Sequence, residues 1–88
     1  MNKNRRKELM EWVSKAESWA SQGEELKSEL ENICSDEQDY LDNMPENLQN
    51  SMRGMDAEDA IGAMNDAIES MNNAIEAAEE AASCIEEI

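Results

Sequence analysis

Through the first half of the chain a seam recurs at alternating steps of three and four: Leu9, Trp12, Ala16, Trp19, Gly23, Leu26, Leu30, Ile33, Glu37, Tyr40 and Met44. Such spacing is a heptad pattern of about five repeats, and it predicts one helix over about 5–43. Trp12, Trp19, Leu26, Ile33 and Tyr40 form a bulky column within it, seven residues apart, while Ala16 and Gly23 are small. Aromatic residues at this spacing are expected in the core, so both tryptophans are placed there. Val13, Ala20, Cys34 and Leu41 widen the stripe beyond a narrow two-stranded seam, which suits a bundle.

Asn43-Met44-Pro45 ends the helix, because proline disfavours helical geometry in the residue before it and cannot donate a backbone hydrogen bond. Pro45 can instead open a short helical turn. A connector over about 44–56 follows, punctuated by Asn47, Asn50, Ser51 and Gly54; its Met44, Leu48, Met52 and Met55 are expected to plug the end of a hairpin.

Asp56 is a plausible N-cap, and Glu58 and Asp59 place negative charge in a first turn, so a second helix is predicted over about 57–88. There Ile61, Met64, Ile68, Met71, Ile75, Ala78, Ala82 and Ile85 form the seam, flanked by the alanine column Ala60, Ala67, Ala74 and Ala81.

The expected fold is therefore all-α: an antiparallel two-helix coiled-coil hairpin with arms of about 50 to 60 Å. A residue-number sum near 101 would set Trp19 beside Ala78, Ala81 and Ala82, and Leu26 and Leu30 beside Ile75 and Met71. Stripes this wide are not covered by two helices, and small domains usually need a partner, so a homodimer forming a four-helix bundle is expected. Cys34 and Cys84 fall far apart along that hairpin, so no disulfide joins them, and two thiols without metal-like spacing suit a reducing cytoplasm.

Charge changes the picture more than any motif. Against 22 Asp plus Glu stand 7 Lys plus Arg, a net charge of −15. Direct binding to nucleic acid or to an anionic membrane is disfavoured, and no stretch is apolar enough for a signal peptide or a membrane span. Histidine is absent, which removes the commonest general base and the usual hydrolase and zinc-protease arrangements; no enzyme and no cofactor is expected. Asp36, Asp39 and Asp42 recur at three-residue steps but lack the glycine turn of a calcium loop, so no metal site is expected either.

Four of the cations, Lys3, Arg5, Arg6 and Lys7, crowd the start, where Glu86 and Glu87 are expected to neutralise them. The remaining 81 residues carry 3 basic and 22 acidic groups, a net of −19. Spread over a rod of about 55 Å, this approaches the linear charge density of a duplex, about one per 1.7 Å, once two rods lie together. Carboxylates can then stand in for phosphates and occupy the basic channel of a nucleic-acid-binding protein. The residues selected for such a surface are Glu29, Asp36, Glu37, Asp39, Asp42, Glu46, Asp66, Glu69 and Glu76. A structural coiled-coil or assembly module is the competing expectation.

The stretch Asp36 to Gly54, DEQDYLDNMPENLQNSMRG, resembles small acidic proteins of phages and prophages of Gram-positive bacteria, most of them of unassigned function. That resemblance implies a phage-borne protein of the host cytoplasm acting against host defence, such as an inhibitor of a CRISPR nuclease or a restriction enzyme. It implies no catalytic residue.

Overall fold

The computed structural model describes all 88 residues, and every regular element is helical: α1 (Lys3–Asp42), α2 (Glu46–Gln49) and α3 (Met52–Glu86). α1 begins at Asn2, whose side chain accepts a 2.8 Å hydrogen bond from the Arg5 backbone N–H, satisfying one of the otherwise unpaired first-turn donors. It ends at Asn43, two residues before Pro45, which in turn opens α2.

α1 and α3 pack against each other as antiparallel arms, in a rod whose Cα atoms extend 69 × 14 × 14 Å. The rod is longer than expected because α2 and the start of α3 project beyond the end of α1. Lys27 Nζ donates to Asn72 Oδ1 at 3.2 Å and Cys34 Sγ to Asn65 Oδ1 at 3.6 Å, giving a residue-number sum of 99 in both pairs. The register is thus shifted by two residues from the expected one. Cys34 is buried, Cys84 is exposed, and both thiols are free.

On α3 the seam follows the predicted positions: Ile61, Ile75 and Ala82 are buried, and Met64, Ile68, Met71, Ala78 and Ile85 are half-buried. On α1 Leu9, Ala16, Gly23, Leu30, Glu37 and Met44 are buried or half-buried as expected, but the structure displaces the other column of the seam by one residue. The seam passes through Val13, Ala20, Lys27, Cys34 and Leu41, while Trp12, Trp19, Leu26, Ile33 and Tyr40 stand 44 to 58 % exposed beside it. Neither tryptophan is core. The cause is the close approach of the helices: a Cβ on Gly23 would lie 3.0 Å from Ile75 Cγ1, leaving no room for an indole between the backbones. Ile75 is the largest fully buried side chain, and only 9 of 88 residues are buried at all, so the hairpin's own core is thin.

The connector also differs from expectation. α3 begins five residues before Ala57, with Ser51 rather than Asp56 as N-cap, its hydroxyl accepting from the Gly54 backbone N–H at 3.5 Å. Gly54 is buried inside the first turn because α2 lies directly on it, and a Cβ there would overlap the Gln49 carbonyl. Gln49 Nε2 donates to the Met44 and Leu41 carbonyls at 3.1 and 3.4 Å, satisfying acceptors left open at the end of α1. The connector methionines do not plug the hairpin: Met52 is 75 % exposed, Met55 and Leu48 are about half exposed, and Met44 is half-buried.

Candidate partner-binding surface

Helical periodicity distributes the side chains of each arm into columns seven residues apart. With the seam assigned, the two faces of the hairpin have opposite chemistry. One face joins Glu17, Glu24 and Glu31 of α1 to Asn65, Asn72, Glu79 and Glu86 of α3, as the contacts of Lys27, Cys34 and Glu17 with residues 72, 65 and 86 establish. The other joins the bulky column of α1 to the alanine column of α3. Trp12 and Trp19 line a shallow groove there with Lys15, Ala16, Ala78 and Ala81.

The nine carboxylates selected from sequence do not form one patch. Glu69 and Glu76 share one column on α3, beside the asparagines; Asn72 Nδ2 donates to Glu76 Oε1 at 3.5 Å. Asp66 stands on the outermost side of α3 and Asp39 on that of α1. Glu29 and Asp36 share the column of Lys15, which borders the bulky apolar residues. Asp42 closes α1, accepting from Gln38 Nε2 at 2.9 Å, and Glu46 opens α2 at the tip. Glu37 lies on the seam and is half-buried, so it is the poorest of the set for contacting a partner. Every other carboxylate of the chain is exposed.

Glu17 and Glu86 were not among the nine, yet these two acidic groups interact across the arms. The Glu86 carboxyl is held above its usual value of 4.5, first by a side-chain hydrogen bond with Glu17, then by loss of solvation and by the Glu17 charge. The signal was present in the column of Glu17, Glu24 and Glu31, but that column borders α3 only when Val13 and Ala20, rather than Trp12 and Trp19, form the seam.

Cations do little to offset this field. The one ion pair in the chain joins Lys27 Nζ to Glu24 Oε2 at 3.4 Å. Lys3, Arg5, Arg6 and Lys7 are exposed and make no ion pair, so the expected neutralisation by Glu86 and Glu87 does not form as direct contact, although Arg6, Glu86 and Glu87 border the same hollow. At the opposite end an open apolar hollow of about 760 Å³ is lined by Tyr40, Met44, Leu48, Met52 and Arg53, among others.

No group of three or more acidic or cysteine side chains stands close enough to hold a metal ion. No helix is long and apolar enough to cross a membrane. No family model, no curated protein and no solved structure matches the chain.

Proposed function

We propose that this protein is an acidic, phage-type inhibitor that binds the basic nucleic-acid channel of a bacterial nucleic-acid-binding or defence protein by mimicking DNA. In this reading it acts in the host cytoplasm as a homodimeric four-helix bundle and binds neither nucleic acid nor membrane directly. One observation supports it above others: a 69 Å rod with a net charge of −15 displays all its carboxylates but Glu37 to solvent, with a single ion pair among them. One rod carries about one net charge per 4.6 Å, and two side by side carry about one per 2.3 Å, near the duplex value of about 1.7 Å. A rigid helical scaffold holds these charges before the partner is met, so binding orders little more than side chains. Long-range attraction would speed encounter and weaken as salt shortens the Debye length.

The test is charge removal at constant fold. Replacing Asp36, Asp39, Asp42 and Asp66 with Asn, and Glu46, Glu69 and Glu76 with Gln, should abolish partner binding and leave the helical content intact. Retained binding would favour the second reading, a structural coiled-coil or phage-assembly module, which the exposed apolar column of Trp12 to Tyr40 supports.

A further inference from the structure

The column Trp12, Trp19, Leu26, Ile33, Tyr40 leaves roughly 500 Å² of large apolar side chain facing water on one side of one helix. That is at the upper end of what monomers expose as one patch. Beside it on the same face, α3 carries a second stripe at alternating steps of three and four, from Ala60 to Cys84, in which every residue is Ala, Ser or Cys. One half of the face is therefore a ridge and the other half a trough.

We propose that a second copy of the chain covers this face, with the two rods parallel and their tips at the same end, so that the ridge of each copy lies in the trough of the other. The inference rests on the homodimer reading above and adds its geometry. A two-fold axis along the rods carries α1 of one copy over α3 of the other at the same height. Trp19 then meets Ala77 and Ala81, Leu26 meets Ser70 and Ala74, and Ile33 meets Ala63 and Ala67 of the second copy. The opposite orientation sets bulky column against bulky column and leaves the small stripes nothing to bury, which close packing disfavours. Ridge and trough together bring the buried surface toward the roughly 800 Å² per partner of a stable interface.

Charge agrees with this arrangement. The columns of Glu17, Glu24 and Glu31 and of Glu69 and Glu76 stay outside, so the bundle presents carboxylates around an apolar centre. Glu29 and Asp36 become rim residues.

Light scattering and cysteine crosslinking test the proposal together. Lys15 and Cys84 are exposed, occupy outer columns of the same face and diverge within one hairpin, but the parallel arrangement brings Lys15 of one copy to Cys84 of the other. Lys15→Cys should therefore oxidise to a species of doubled mass, whereas Lys15→Cys with Asp36→Cys and Cys84→Ser should not. Crosslinking by the second variant and not the first, in a protein of dimeric mass, would overturn the orientation and leave the homodimer standing. A monomeric mass at high protein concentration would overturn both. Trp12→Gln with Trp19→Gln should weaken the dimer by roughly 100-fold while helical content is retained, since both indoles are half exposed in the single hairpin; an unchanged dissociation constant would also overturn the proposal.

Discussion

Gly23 sits directly opposite Ile75, with its missing Cβ 3.0 Å from Ile75 Cγ1, and this contact sets how near the two arms come. Ile75 is 1 % exposed, so Ile75→Ala should cost about 2 to 5 kcal/mol in chemical denaturation, because glycine cannot fill the space left. Trp19→Gln, at a half-exposed position, should cost the hairpin clearly less when measured at concentrations too low for association. Equal losses would mean that the tryptophan column is the true seam.

Two glycines in α3 should respond in opposite directions to alanine. Gly62 has nothing within 4 Å of a built Cβ, so Gly62→Ala should stabilise by about 0.5 to 1 kcal/mol through helix propensity. Gly54→Ala drives a methyl group into the Gln49 backbone and should lower the melting temperature or displace α2 from the end of α3. A gain at both positions would show that α2 does not rest on Gly54.

Acid should tighten the arms. The folded-state pKa of Glu86 is raised, so the protonated form is favoured in the hairpin; its contribution to stability is fully present below the unfolded-state value and is lost as pH rises through the folded-state value. The melting temperature should therefore climb as pH falls from neutrality toward 4.5, and Glu86→Gln should both raise it at neutral pH and flatten the climb. Parallel pH profiles for the two proteins would contradict the Glu17–Glu86 contact.

Salt should act in the same direction at neutral pH. With a net charge of −15 and a single ion pair, the folded rod repels itself far more than it gains from ion pairing. Raising ionic strength toward about 0.15 M, where the Debye length is about 8 Å, should raise the melting temperature of the isolated protein. A fall would point to stabilising ion pairs not seen among its side chains.

Helical content, antiparallel arms and the seam of α3 were legible because Ile61, Ile68 and Ile75 mark a single apolar column with no competitor. On α1 two columns compete. The bulky one, Trp12 to Tyr40, outweighs the neighbouring Val13, Ala20, Lys27, Cys34 and Leu41 in hydrophobicity, yet the smaller one faces α3 because isoleucine on α3 needs small residues opposite. Complementarity across an interface is a property of two stripes at once, and a reading of α1 alone cannot weigh it. Asp56 looked like an N-cap for a similar reason: the start of α3 depends on α2 resting on Gly54, a contact that local propensity does not encode. Of the candidate surface, the exposure of the carboxylates was legible, with Glu37 as the exception, while their division into faces waited on which column of α1 forms the seam.

In the proposed complex, exposed carboxylates on the helical rod replace phosphates. Immobilised protein should capture from bacterial lysate, at low salt, a basic nucleic-acid-binding protein that is released by added duplex DNA and by high salt. The variant lacking the carboxylates of Asp36, Asp39, Asp42, Glu46, Asp66, Glu69 and Glu76 should capture none of it. Capture of a partner that neither DNA nor salt displaces, and that the neutralised variant holds equally well, would contradict the account.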